Sequence, residues 1–109
     1  MRRPRVVLYN PRAVFYTMPL ALVALASALD RDRVDVEIVD GRLEADPVTA
    51  VVRAAEGALC VGVTVLTGAP IRDALAVSRA VRAAHPRCAI VWGGWHPSLF
   101  AAECLDEPS

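Results

Sequence analysis

Lysine is absent from this sequence: all twelve basic residues are arginine, and twelve acidic residues balance them to a net charge of zero. A chain without net charge has no overall electrostatic attraction for nucleic acid or for an anionic membrane surface. Without lysine it has no phosphate-binding loop of the usual kind, and Gly62 and Gly68 do not form the dinucleotide fingerprint. Neither nucleic acid nor a membrane is expected as a partner.

Cysteine is scarce and scattered. Cys60, Cys88 and Cys104 are odd in number and far apart in the chain, which excludes a disulfide framework and the short ligand spacings of zinc or iron–sulfur sites. We interpret them as free, partly buried thiols, because cysteine often serves as a small hydrophobic residue.

Long hydrophobic runs are also missing. Hydrophobic residues make up 55% of the 109 residues, yet no run approaches the roughly 18 to 20 residues needed to span a bilayer. The basic start at Met1–Arg5 is followed only by the short run Val6–Tyr9 before Asn10 and Pro11 interrupt it, so a secretory signal is not indicated. The sequence predicts one core-rich, soluble, cytoplasmic domain.

Strand-like and helix-like patterns alternate along the chain. Four apolar or alternating runs predict strands: Val6–Tyr9, Val34–Val39, Leu59–Val65 and Cys88–Trp92. Helical patterns lie between them and open at Pro19, at Asp46-Pro47 and after Pro70. This alternation predicts a doubly wound α/β fold of the flavodoxin-like or Rossmann-like type, with a parallel sheet in the strand order 2-1-3-4.

The end of the sequence begins a further helix at Pro97–Leu105, and no fifth strand follows it. A sheet of this type is expected to continue. We therefore expect residues 1–109 to be one domain, lacking a fifth strand, at the front of a longer protein.

Ligands of open α/β sheets bind beyond the carboxyl ends of the strands, where the strand order reverses. Small, uncharged residues follow the predicted strands there: Thr64, Thr67, Gly68, Gly93, Gly94 and Ser98. Small side chains allow a flat ligand to approach the backbone closely, and hydroxyls can bond its polar edge. This favours a binding surface over a catalytic centre.

No nucleophilic residue has an evident base partner, because His85 and His96 both precede proline in predicted loops. Imidazole is a capable metal ligand, but nothing beside His96 supplies a second one. The chain alone therefore offers neither a catalytic set nor a metal site.

Two interpretations of these strand ends stay open. Gly93-Gly94 serves equally well as an ordinary tight turn, and Thr64 as an ordinary strand residue. Aromatic residues near the same edge either stack on a ligand ring or fill a domain interface; they are Phe15, Tyr16, Trp92 and Trp95.

Several segments together carry a family resemblance over nearly the whole chain: "VVLYNP", "MPLALVALASAL", "VEIVDG", "VGVTVLTGAPIRDALAVSRAVRAAHP" and "IVWGGWHPSLFAAECL". The sequence resembles the amino-terminal cobalamin-binding domain of cobalamin-dependent radical S-adenosylmethionine enzymes. Cobalamin-binding domains in general carry Asp-x-His-x-x-Gly after strand one, Ser-x-Leu after strand three and Gly-Gly after strand four. The second motif is similar to Thr64-Val65-Leu66 and the third to Gly93-Gly94, whereas the first is missing and Arg12 stands where the cobalt-binding histidine would be.

The resemblance implies cobalamin as the cofactor, bound without a histidine beneath the cobalt, since a guanidinium stays protonated and has no lone pair. It implies a cofactor-binding set consisting of Asn10, Pro11, Arg12, Thr64, Leu66, Thr67, Gly93, Gly94 and His96. No residue of this chain is implied to be catalytic or to bind the metal.

The resemblance further implies a downstream barrel domain that holds S-adenosylmethionine and a [4Fe-4S] cluster on a Cys-x-x-x-Cys-x-x-Cys loop, and a parent enzyme that is a methyltransferase. The three cysteines here have the wrong spacing for that loop. The alternative is a non-catalytic α/β interaction or docking domain that no longer binds a cofactor. A response-receiver-like module is disfavoured, because Asn10 and Thr64–Thr67 stand where a receiver has its acidic and phosphoacceptor residues.

Overall fold

The computed structural model describes residues 3–12, 20–65 and 68–108, apart from the side chains of Leu20 and Trp95. Strands and helices alternate as the sequence predicts. Their bounds are β1 Arg5–Asn10, α1 Leu20–Ala28, β2 Asp35–Asp40, α2 Pro47–Ala54, β3 Cys60–Thr64, α3 Ala69–Ala84, β4 Ala89–Gly93, α4 Trp95–Leu99 and α5 Ala101–Leu105.

The four strands form one parallel sheet in the order β2-β1-β3-β4. Leu8 of β1 lies opposite Ile38 of β2 and Gly62 of β3, and Gly62 in turn lies opposite Val91 of β4. The predicted α/β class and strand order are confirmed. The order reverses between β1 and β3, so the ends of these two strands sit at the centre of the sheet.

The two faces of the sheet are covered unequally. Side chains at alternate positions, such as Val7, Val61 and Val63, are buried in the main core, which also contains residues of α2 and α3. On the other face a smaller cluster joins Leu8 to Leu22 and Ala26 of α1. Because α1 contacts β1, the β3 and β4 part of this face keeps accessible surface.

Local signals explain the helix starts. The Asp46 carboxylate accepts a hydrogen bond from the Thr49 backbone N–H at 3.2 Å, and Pro47 occupies the first turn of α2, as the sequence predicts. Gly94, with φ of +97°, precedes α4. Within the ranges given above, no helix combines the length and the apolar character needed to cross a bilayer.

The predicted helix at residues 97–105 differs from the structure. It begins earlier, at Trp95, and divides into α4 and α5 at Phe100. Phe100 has φ of −128° and ψ of 47°, which is outside the helical region, so helical geometry is interrupted there. The Phe100 N–H donates to the His96 carbonyl at 2.9 Å and closes α4.

Candidate functional site: a groove between α1 and the sheet

A groove of about 260 Å³ lies between α1 and the part of the sheet that α1 leaves uncovered. We call it the α1 groove. Its walls and floor are formed by residues of α1, β1, β3 and β4 and by the start of the β4–α4 turn: Leu8, Ala21, Leu22, Leu25, Cys60, Gly62, Val63, Thr64, Val91, Gly93 and Gly94. It reaches the carboxyl ends of β3 and β4, where ligands of this fold class bind.

The floor of the groove follows from strand alternation. Cys60, Gly62 and Thr64 are half-buried, while Val61 and Val63 between them are buried, because successive side chains of a strand point to opposite faces. A Cβ added at Gly62 would lie 3.0 Å from Cδ2 of Leu8. Glycine therefore keeps the middle of the floor low beside Leu8.

The two adjacent glycines have different reasons to be glycine. Gly94 has φ of +97°, and a Cβ there would lie 3.1 Å from the Thr64 hydroxyl oxygen, so the backbone and the packing both require it. Gly93 has no positive φ, and a Cβ there would meet nothing within 4 Å. The packing of the described residues does not require glycine at position 93. A ligand lying directly over the backbone there would require it. The turn interpretation thus explains Gly94, whereas neither the backbone nor the packing explains the glycine at position 93.

Backbone hydrogen bonds hold the rim of the groove together. The Val65 N–H donates to the Gly93 carbonyl at 2.9 Å, and the His96 N–H donates to the Val65 carbonyl at 3.1 Å. The ends of β3 and β4 and the start of α4 are therefore linked as one unit. A ligand at the rim would contact a preorganised backbone.

Three predicted cofactor-binding residues, Thr64, Gly93 and Gly94, line the α1 groove together. Leu66 and Thr67, from the same loop region, lie outside the described residues.

The predicted residues after β1 do not line the groove. Asn10 and Pro11 are buried, and the Asn10 side-chain amide donates to Oδ1 of Asp40 at 3.2 Å. These residues shape the end of β1 beside β2.

Arg12 joins the segment after β1 to the loop after β2. Its Nε donates to the Gly41 carbonyl at 2.7 Å, and its Nη2 donates to the carbonyls of Glu44 and Ala45. Its backbone N–H donates to Oδ2 of Asp73 at 2.7 Å. The guanidinium is therefore engaged with main-chain oxygens and, having no lone pair, offers nothing to a metal.

Two part-buried polar pairs support these loops. Arg42 donates to both carboxylate oxygens of Asp40, with Nη2 2.5 Å from Oδ2, and these hydrogen bonds lower the pKa of Asp40 below its usual value. The hydroxyl of Tyr9 donates to Oδ2 of Asp73 at 2.7 Å. Burial, and then this carboxylate, raise the pKa of Tyr9 well above its usual range.

Neither histidine lines the groove. The His96 ring packs against Phe100 with ring centroids 5.1 Å apart. His85 ends α3, and its Nε2 lies 2.9 Å from the Val52 carbonyl oxygen of α2. In the part of the chain that the structure describes, no group of three His, Cys, Asp or Glu residues could hold a metal ion.

Trp92, one of the four ambiguous aromatics, belongs to the opposite face. Its Nε1 donates to the Ser78 hydroxyl of α3 at 3.0 Å, and its side chain packs against the main core. Phe15, Tyr16 and the side chain of Trp95 are outside the described part of the chain.

The sequence did not identify the apolar part of the groove, namely Leu8, Ala21, Leu22, Leu25, Cys60, Gly62, Val63 and Val91. One signal was available: Gly62 interrupts an apolar strand, and a glycine inside a strand often marks close approach of a ligand or another backbone. The contribution of α1 had no local signal, because it depends on where the helix lies over the sheet.

Comparison with known proteins gives one match. A protein-family model described as a B12 binding domain matches residues 7–109, which include every lining residue of the α1 groove. No curated protein and no solved structure matches the chain.

Proposed function

Because this chain belongs to the B12-binding domain family, membership of which supports cobalamin binding, we propose that the α1 groove receives the nucleotide tail of cobalamin. Thr64, Gly93 and Gly94 line the groove at the strand ends, and Leu66 belongs to the same proposed lining. The segment at Asn10–Arg12 would lie near the corrin ring, with Thr67 and His96 completing the proposed site.

The observation that carries this proposal is the open space above Gly93, where an added Cβ would meet no atom within 4 Å. The groove beyond it has a volume of about 260 Å³ and is lined mainly by carbon. Ligand sites are typically concave and largely apolar, with a few polar groups that fix orientation. The Thr64 hydroxyl at the rim is such a group.

The chain contributes placement, and the cofactor contributes reactivity. Bound cobalamin supplies a cobalt centre that can carry a methyl group. The hydrogen-bonded rim at Val65, Gly93 and His96 would hold the corrin side of the ligand in a fixed position relative to the sheet.

We further propose that cobalamin is bound without a histidine beneath the cobalt. The support is Arg12, which stands where the resemblance places the cobalt-binding histidine of cobalamin-binding domains and which donates to backbone carbonyls of the neighbouring loop. Electron paramagnetic resonance of the reduced, bound cobalamin should show no nitrogen splitting from an axial ligand. A nitrogen splitting that also appears with bound, reduced cobinamide, which has no base of its own, would come from the protein and would contradict this part of the proposal while leaving cobalamin binding intact.

The proposed parent protein is a radical S-adenosylmethionine methyltransferase, in which a downstream barrel carries S-adenosylmethionine and a [4Fe-4S] cluster. The support is the resemblance of the sequence over nearly its whole length. The reading frame after Ser109 should then encode a Cys-x-x-x-Cys-x-x-Cys loop. A frame that encodes an unrelated domain would reject the radical enzyme while the cobalamin site stands.

Cobalamin binding is tested by titrating the purified chain with hydroxocobalamin and measuring the absorbance change and the cofactor retained after gel filtration. Gly93→Leu should weaken binding at least about tenfold, because its side chain enters open groove space. Ala102→Leu, at an exposed position of α5 outside the groove lining, is the control and should bind normally. If the unaltered chain retains no cobalamin, the proposal fails and the docking-domain alternative takes its place.

A further inference from the structure

The walls of the α1 groove present hydrocarbon to whatever occupies it. Leu8 and Leu22 are buried at its sides, while Leu25 and Val91 keep 57% and 55% of their surface exposed. Apolar side chains that stay exposed along a groove gain free energy when a ligand removes them from water. The chemistry of the walls therefore favours an apolar occupant.

In the middle of the floor, the backbone N–H and C=O groups are not free to bond a ligand. Strand β3 lies between β1 and β4, and Gly62 is in register with Leu8 on one side and Val91 on the other. In such a ladder the N–H and C=O groups of a central strand bond to the neighbouring strands. A ligand lying over Gly62 thus contacts a backbone whose polar groups are already paired.

Two side chains among the described lining residues carry a hydrogen-bonding group, and they lie at opposite ends of β3. Thr64 is at the rim and Cys60 is at the inner end, about 13 Å apart at the usual rise of a strand. The thiol of Cys60 is a weak partner, and burial raises its pKa, so it is held as the neutral thiol. Between these ends the described lining offers a polar ligand no side-chain partner.

From this lining we infer that the α1 groove selects cobamides by their nucleotide base: it accepts the apolar dimethylbenzimidazole of cobalamin and discriminates against purine bases such as adenine. The inference rests on the proposed function, since it assumes that the tail enters this groove. Adenine carries an exocyclic amine and additional ring nitrogens. Burying such groups without partners costs free energy that an apolar base of similar shape does not lose.

The experiment compares three cobamides by calorimetry and by the absorbance change on binding: cobalamin, adeninylcobamide, and cobinamide, which has no nucleotide tail. Cobalamin should bind at least about tenfold more tightly than adeninylcobamide, equivalent to about 1.4 kcal/mol. Cobinamide should also bind more weakly than cobalamin, because it leaves the groove empty.

The outcomes separate the inference from the proposed function. If cobalamin and adeninylcobamide bind equally and cobinamide binds weakly, selection of the base is overturned, while the proposal that the tail occupies the groove is retained. Equal binding of all three would show that the tail does not use the groove and would overturn both. Absence of binding by all three would reject the proposed function itself.

A pair of variants tests whether the lining causes the selectivity. Val91→Thr places a hydroxyl opposite Gly62 and conserves side-chain size and β-branching, so the strand should form normally. It should reduce the affinity ratio of cobalamin to adeninylcobamide at least about threefold. Val23→Thr makes the same exchange at an exposed position of α1 outside the groove lining and should leave the ratio unchanged. An unchanged ratio in Val91→Thr would overturn the inference.

Discussion

The hydroxyl of Tyr9 donates a 2.7 Å hydrogen bond to Oδ2 of Asp73, 64 residues further along the chain. The same oxygen accepts the backbone N–H of Arg12 at 2.7 Å. One carboxylate in the early turns of α3 thus fixes both the last part of β1 and the segment that follows it. We propose that this segment lies near the corrin ring of bound cobalamin.

We expect this bond to be visible in the alkaline stability of the protein. The pKa of Tyr9 is raised by burial and then by Asp73, so the native state keeps the proton that the unfolded state loses near pH 10. The stabilisation that Tyr9 contributes to the free energy of unfolding should therefore be complete below about pH 10 and should be lost as the pH rises further.

The measurement is urea unfolding at several alkaline pH values for the unaltered chain and for Tyr9→Phe. The variant should be less stable by about 1 kcal/mol near neutral pH and should decline less steeply above about pH 10. Cys60 and Cys88, whose pKa values are raised by burial, titrate in both proteins and cancel in the comparison. Parallel curves would contradict the assignment to Tyr9.

At acid pH the corresponding group is Asp40. Hydrogen bonds from Arg42 are the main cause of its lowered pKa, and the Asn10 amide adds to them. A carboxylate with a lowered native pKa stabilises the fold above its unfolded value of about 3.9, and this stabilisation is lost as the pH falls through the native pKa. Asp40→Asn should therefore flatten the acid limb of the stability curve. Circular dichroism measures unfolding as the pH is lowered, and an acid limb that is the same in Asp40→Asn and in the unaltered chain would contradict this assignment.

The adjacent glycines should respond differently to the same small change. Gly94→Ala should cost about 1 to 2 kcal/mol of stability, because φ is +97° and the new Cβ would press on Thr64. Gly93→Ala should change stability by about 0.5 kcal/mol or less, since its Cβ would enter open space. Urea unfolding of both variants measures the difference, and equal losses would show that position 93 is also structurally constrained.

Arg12 should act as a structural clamp even in the absence of cofactor. Removing its guanidinium leaves the carbonyls of Gly41, Glu44 and Ala45 without this donor, so Arg12→Ala should lower the free energy of unfolding by about 1 to 2 kcal/mol. Arg87→Ala removes an exposed arginine and is the matched control, expected within about 0.5 kcal/mol of the unaltered chain. Equal stabilities of the two variants would contradict the clamp.

Part of the site was predictable because its signals are local. Thr64, Gly93 and Gly94 directly follow or end predicted strands, and strand ends of a parallel sheet meet at one edge. The role of Arg12 was not predictable in this way. Its carbonyl partners are 29 to 33 residues away, and nothing in the residues around Arg12 indicates which loop it contacts.

The split of the last predicted helix at Phe100 was likewise not visible in the sequence. The apolar and small residues from Pro97 to Leu105 suit a helix throughout, yet the backbone leaves helical geometry at Phe100. We find no physical reason for the break in the local sequence.

The amino-acid sequence by itself determined the alternation of strands and helices, because apolar runs, proline positions and helical spacing are local properties of the chain. The parallel sheet and its strand order then followed from the right-handed connections that such an alternation requires. It also determined that glycine stands at positions 93 and 94. Only the tertiary structure decided that the face of β3 carrying Cys60, Gly62 and Thr64 opens into a groove, because the sequence of the strand does not show whether a helix covers that face. That choice depends on how much of the sheet α1 covers, and coverage is a property of packing between elements distant in sequence.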